Sequence, residues 1–297
     1  MGELTAIVAA FGYSITSTLF TLSGRKIGPI AVNRISMPIS LLFLMLAHWL
    51  LIGTPVPRNV ELQRWLWLSI SGMLGMWLAF VLIMYAFVQI GPRLTLLIAS
   101  VGPIISAVLA WLLLGQTLPA GAVLGMALTI GGIAWVVGEK KEQKSQSATH
   151  SFRIGVLFAL GAAITQAVSS TLASQGVTGD FEPLTGNLIR LLSATAGIWI
   201  VALLQGQSKN SIRLWQANPS IHRQLIIGSI SGPVIAASFM LISLQLIPVG
   251  VTMTLANLTP IFLLPIGYVV FKEQISGRAI LGTCIAVAGT AVLFLSG

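Results

Sequence analysis

One stretch of this chain occurs twice, and that limits what the chain can become. Gly91 to Gly132 reads GPRLTLLIASVGPIISAVLAWLLLGQTLPAGAVLGMALTIGG. At a constant offset of 157, Pro248 to Gly289 reads PVGVTMTLANLTPIFLLPIGYVVFKEQISGRAILGTCIAVAG. Thr95 falls on Thr252, Ala99 on Ala256, Pro103 on Pro260, Gly125 on Gly282 and Gly132 on Gly289. Both copies are apolar enough to lie in a bilayer, and each holds a proline in mid-helix. Lipid offers the backbone no hydrogen-bond partners, so such stretches must be helices, and the alternating pattern of a barrel is absent.

The rest of the chain is of the same kind. Of its 297 residues 56% are hydrophobic and 8% charged, against about 25% charged in a soluble domain. That is too little polar surface to fold in water. A membrane span needs about 20 apolar residues at about 1.5 Å each to cross about 30 Å of hydrocarbon. Ten such runs can be drawn, at 3–22, 30–52, 65–89, 94–114, 119–138, 154–175, 183–205, 222–246, 250–271 and 276–296. The hydrophilic run EKKEQKSQSATHSFR, residues 139–153, reads as a linker between units 1–138 and 154–297.

The first spans of the two units also match. Ser17-Thr18-Leu19 falls on Ser170-Thr171-Leu172, Thr21 on Ser174, and Ser69-Ile70-Ser71-Gly72 recurs as Ser229-Ile230-Ser231-Gly232. The expectation is an all-α integral membrane protein with ten transmembrane helices in two inverted five-helix repeats. Five spans is an odd number and the linker does not cross, so the halves take opposite orientations about an axis in the membrane plane.

The net charge is +9, yet no basic, aromatic-rich soluble domain is present to bind nucleic acid. The basic residues orient helices instead. Loops 1–2, 3–4, 5–6, 7–8 and 9–10 carry 12 of them (Arg25, Lys26, Arg93, Lys140, Lys141, Lys144, Arg153, Lys209, Arg213, Arg223, Lys272, Arg278), while the other side carries Arg58 and Arg64. The positive-inside rule then puts the linker in the cytoplasm and both termini outside. Trp49, Trp65, Trp111 and Trp135 near span ends fit an interfacial belt. Glu3 precedes the first apolar run with no basic residue beside it, so that run reads as a retained span and not a cleaved signal. The lone Cys284 forms no intrachain disulfide and reads as a small packing residue. The expected location is the cell membrane, in a bacterium the inner one.

Each half ends in a proline-centred span, then a short loop, Leu114-Gly115-Gln116 in one half and Phe271-Lys272-Glu273 in the other, then a glycine-bearing span. That arrangement, twice over nearly the whole chain, resembles the EamA family of the drug/metabolite transporter (DMT) superfamily. The family's loop usually carries Gly-Glu; the second half keeps the acid as Glu273, and Gln116 replaces it in the first. The resemblance implies a ten-helix inverted-repeat exporter of small metabolites, amino acids or drugs. Several relatives are thought to hold both termini in the cytoplasm, opposite to the charge count.

Substrate-binding residues are expected where the prolines interrupt helices. Pro103 and Pro260 free the carbonyls of Ala99 and Ala256, beside the equivalent pair Ser100 and Asn257. The bland reading of Ser100 is a hydroxyl bonded to its own backbone. A second signal is a hydroxyl stripe, Ser14, Ser17, Thr18 and Thr21, matched by Gln166, Ser169, Ser170 and Ser174; such stripes line water or pack helices. Trp77 and Tyr85 could add aromatic walls or simply pack. Gly121, Gly125 and Thr129, with Gly282, Ala286 and Gly289, permit close helix approach, within the scaffold or between two copies of a homodimer.

All seven Asp and Glu residues lie at span ends or in loops, so no carboxylate is placed to carry protons. Arg34 and Arg190, the deepest charges, read as snorkelling anchors in preference to anion ligands. The resulting neutral cavity suits neutral, zwitterionic or amphipathic solutes, the small-molecule partner expected besides the bilayer itself. No cofactor, metal site or catalytic residue is expected, since neither HExxH nor GxSxG occurs. The rival readings are an intramembrane enzyme, which would need His, Cys or acid clusters, a receptor or structural protein, and a channel, which would need a charged ring or filter.

Overall fold

The computed structural model describes residues 1–102, 104–105, 120–142, 146–247, 252, 255–256, 258–271 and 277–295. Among the described residues the regular structure is helical throughout. The elements are α1 (Gly2–Ile27), α2 (Pro29–Ile52), α3 (Leu62–Ile90), α4 (Pro92–Ala99), α5 (Ala120–Glu142), α6 (Gln146–Gly176), α7 (Pro183–Leu204), α8 (Ser208–Ala217), α9 (Pro219–Leu246), α10 (Thr259–Phe271) and α11 (Gly277–Leu295). Six of these carry a stretch long and apolar enough to cross a membrane: α1, α2, α3, α7, α9 and, within α6, Phe152–Gly176. Shorter apolar segments follow at Val123–Trp135, Ile261–Val270 and Ile280–Gly289. Of the fourth expected span, residues 103 and 106–114 lie outside the described residues.

Two helix junctions use the same device. Ile27-Gly28-Pro29 joins α1 to α2, and Ile90-Gly91-Pro92 joins α3 to α4. The glycines hold φ of 83° and 82°, which L side chains rarely adopt, and their N–H groups still close the preceding helix onto Gly24 and Phe87. Proline then opens the next helix, where a missing N–H costs nothing.

Both α3 and α9 widen into a π turn, at Met73–Ala79 and Ile230–Ala236. These segments stand at an offset of 157, the offset of the long repeat. The match of Ser69–Gly72 to Ser229–Gly232 is therefore out of register by three residues, and contacts settle the correct pairing. Ser169 Oγ donates to the Ser71 carbonyl at 2.8 Å, and Thr16 Oγ1 donates to the Gly228 carbonyl at 3.0 Å. Ser71 and Gly228 are 157 apart, and Thr16 and Ser169 are a pair in the first-span match. Asn33 of α2 and Asn187 of α7 likewise donate to π-turn carbonyls, to Trp77 at 3.3 Å and to Pro233 at 2.9 Å. Four identical residues fall out of register, and the shared π geometry sets the pairing.

Helices α5 and α11 pack backbone to backbone. A Cβ on Gly132 would lie 2.6 Å from the Gly282 carbonyl oxygen, and one on Gly289 would lie 2.5 Å from the Thr129 nitrogen. Thr129 Oγ1 donates across the seam to the Ala286 carbonyl at 3.2 Å. The small-residue pattern thus builds an internal seam.

Two segments differ from the expected loops. The stretch read as a linker is largely helical, since α5 runs on to Glu142 and α6 starts at Gln146. Glu, Lys and Gln are good helix formers, so the helices continue past their apolar parts. Between α7 and α9, α8 puts Trp215 over His222, with ring centroids 3.9 Å apart, and buries Ser211.

Candidate functional site

A cavity of about 260 Å³ lies among the helices, with walls from α1, α3, α4, α6, α7, α9 and α10 and with Met37 of α2. Its walls are built in repeat-related pairs. Tyr13 and Ser17 of α1 face it together with their equivalents Gln166 and Ser170 of α6. Gly75, Met76, Phe80 and Ile83 of α3 face it with Gly232, Pro233, Ala237 and Met240 of α9, each pair 157 apart. Ala99 and Ala256 line it as well. The expected mid-helix proline is not found at Pro260, which is the second residue of α10, where a missing N–H breaks no helical bond, and Pro103 lies outside the described residues. The Ala256 carbonyl accepts from Thr259 Oγ1 at 2.7 Å.

The glycines are there because the helices touch. A Cβ on Gly75 would sit 2.2 Å from Ser169 Oγ, and one on Gly232 would sit 2.5 Å from Thr16 Oγ1. At these contacts α3 meets α6 and α9 meets α1, which fixes the cavity walls opposite one another.

The wall carries both apolar and polar groups. Phe20 and Phe80 meet edge to face at 5.5 Å, and with Met84 and Phe87 they belong to a buried cluster that includes Ile27, Ile35 and Ile221. Tyr13, Thr16, Ser17, Gln166, Ser170 and Arg190 supply the polar groups. Gln166 Nε2 donates to Ser170 Oγ at 3.4 Å. Arg190 is 6% exposed and is the only charged residue among the described lining residues. Its position corrects the snorkelling expectation, because the guanidinium turns into the protein. Arg34 differs: Nη1 and Nη2 donate to the Gln207 and Gln205 side chains at 2.7 and 3.3 Å, just past the end of α7.

The expected site residues divide. Ser17, Gln166 and Ser170 line the cavity. Ser14 is fully buried off the wall and donates to the Phe11 carbonyl at 2.7 Å. Ser100 donates to the Leu96 carbonyl at 3.0 Å, the local bond named as its bland reading. Trp77 packs on Gly197, and Tyr85 stacks on Phe158 with centroids 5.1 Å apart; neither lines the cavity. Asn257 lies outside the described residues, although Ala256 beside it lines the wall. The wall stripe on α1 is Tyr13, Thr16, Ser17 and Phe20, one residue away from the hydroxyl stripe. Tyr13 was legible as a neighbour one turn before Ser17, but its ring hid it among packing residues.

His48 has a structural role. Its Nε2 meets Thr185 Oγ1 at 2.9 Å and its Nδ1 meets the Thr54 carbonyl, tying α2 to α7. Among the described residues no group of His, Cys, Asp and Glu could hold a metal ion.

A multi-pass helical membrane protein with a solute-sized, mostly apolar cavity among its helices has the form of a small-molecule transporter. The EamA-like transporter family matches residues 1–138 and 153–295, so the chain belongs to that family, within the DMT superfamily, whose members are transporters rather than enzymes. No curated protein matches the chain in sequence. A solved crystal structure, described only as that of a protein, is similar with a TM-score of 0.71 at 19% identity, over 98% of this chain and 95% of that one. At that identity the likeness speaks for the fold alone.

Proposed function

We propose that this protein is a carrier working by alternating access, exporting a small metabolite, amino acid or drug across the cell membrane, in a bacterium the inner membrane. Its ten transmembrane helices form two inverted five-helix repeats, 1–138 and 154–297, joined at 139–153, with the joint in the cytoplasm. The substrate sits in the central cavity, and rocking of one half against the other exposes that cavity to each side in turn.

The observation that supports this reading is the pairing of the cavity wall. Tyr13 with Gln166, Ser17 with Ser170 and Ala99 with Ala256 put equivalent groups of both halves around one volume. A site shared between two related halves stays fixed while the halves exchange conformations. The π turns of α3 and α9 border that volume and give each half a helix whose backbone ladder is already loosened.

Counterflow in proteoliposomes with labelled amino acids and small metabolites tests the proposal. Saturable exchange of a compound is expected, lowered in Asn257→Ala and Gln166→Ala protein that still folds. Flux without saturation or counterflow would mark a channel, and no flux of any compound would favour a receptor or structural role.

A further inference from the structure

Arg190 stands where a guanidinium is costly. It lies two turns into α7, buried, with its head at the cavity. Its Nη2 reaches Ser169 Oγ at 3.5 Å, the outer limit of a hydrogen bond, and its Nε has no partner. The ion pairs among the described residues join Met1 to Glu3 and Arg64 to Glu61, and neither involves Arg190. A guanidinium has five donors and keeps its proton in a protein. Buried in low dielectric, it needs an anion or water to offset the loss of hydration.

The repeat shows that the fold itself does not ask for this charge. Ser229 Oγ donates to the Ser36 carbonyl at 3.2 Å. At the equivalent contact in the other half, a Cβ on Gly72 would lie 2.2 Å from the Arg190 carbonyl oxygen. Arg190 and Ser36 are thus matching positions, and serine satisfies the packing at one of them. The cavity is matched in backbone but not in charge.

Two further features give the charge a partner of definite shape. Tyr13 and Arg190 both line the cavity, so a phenol hydroxyl and a guanidinium border one volume. Phe20, Phe80, Met84 and Phe87 also line it, and their side chains offer a solute no hydrogen bond.

We propose that Arg190 is a substrate-binding residue and that the cavity takes a small organic monocarboxylate with an apolar tail. The carboxylate meets the guanidinium, with the Tyr13 hydroxyl beside it, and the tail lies against Phe20 and Phe80. One unpaired cation neutralises one negative charge, which disfavours dianions and phosphate esters. The proposal rests on the reading of this cavity as the substrate site.

The test compares phenylacetate with phenylacetamide, two solutes of the same shape that differ in charge. Binding to the full chain in lipid nanodiscs is read as the saturable rise of the unfolding midpoint with solute concentration. Phenylacetate is expected to bind about tenfold or more tightly than the amide, the gain of a charge-assisted hydrogen bond. Arg190→Gln should bring the ratio to about one and Arg190→Lys should keep most of it. Equal binding of the two solutes to the wild-type protein, no binding of either, or a ratio that survives Arg190→Gln overturns the proposal. If Arg190→Gln does not fold, the wild-type ratio together with Arg190→Lys decides. Counterflow separates the two levels: carboxylate-selective binding without counterflow keeps the site and removes the carrier, whereas counterflow of neutral solutes without carboxylate preference does the reverse.

Discussion

Asn33 and Asn187 carry out the same task at matching places, and the differences between them make a measurable contrast. Asn187 Nδ2 donates at 2.9 Å to both the Pro233 carbonyl and Ser238 Oγ, while Asn33 Nδ2 makes one bond of 3.3 Å to the Trp77 carbonyl. The Oδ1 of each is buried without a partner, so neither amide is fully satisfied. Removing a buried donor strands its acceptor at a cost of about 1–3 kcal/mol. Asn187→Leu should therefore lower thermal stability of the purified protein by about that much, and Asn33→Leu by less. Along α1 the same logic separates neighbours. Ser14→Ala removes a bond to its own helix and should leave transport unchanged, whereas Ser17→Ala changes the cavity wall and should alter it; transport assays on both variants check this. From sequence these two serines look alike, because both belong to one stripe and one residue of helix is only about 100° of rotation.

Helices α5 and α11 give the clearest case of packing by small residues. Their backbones come together because Gly132 and Gly289 have no Cβ to hold them apart. Gly132→Ala puts a methyl group 2.6 Å from the Gly282 oxygen and 2.7 Å from the Ala286 nitrogen, atoms of backbone that cannot step aside. Overpacking of this kind costs about 1–3 kcal/mol. Gly131 is the control, since a Cβ there meets nothing within 4 Å. Gly131→Ala should be neutral or gain about 0.5–1 kcal/mol from helix propensity. Thermal midpoints of both variants in one detergent test the pair. A close approach was legible in the spacing of Gly121, Gly125 and Thr129 with Gly282, Ala286 and Gly289, within the scaffold or between two copies, while the part of Gly132 was not. The π turns were not, because no residue pattern marks where a helix admits an extra residue.

For the molecule as a whole, orientation is the open variable that one labelling experiment fixes. The basic loops put residue 147 in the cytoplasm, so a Ser147→Cys protein in intact cells should resist an impermeant thiol reagent and label only after the membrane is opened. The native Cys284 is exposed and must first be replaced by alanine to clear the background. Labelling in intact cells would invert the topology and place both termini inside. The linker is largely helical where a solvated hinge was expected, so rocking of the halves would draw on the cavity-side π turns more than on this joint.

Hydropathy, the 157-residue repeat and the glycine and proline spacing determined by themselves that this chain is helical, membrane-embedded, duplicated and similar to one transporter family. They also pointed to Ala99 and Ala256, which line the cavity, although Pro260 opens α10 and does not interrupt a helix. Only the tertiary structure decided which face of each helix looks inward. Leu50, Leu51 and Leu204 are as apolar as the buried Leu44 and Leu188, yet they lie on the outside. Lipid rewards an apolar surface as protein does, so the polarity contrast that orients helices in water is missing here. The same absence hid Arg190, for a charge on an apolar helix can reach for the membrane surface or turn into a cavity, and only its neighbours in space distinguish the two.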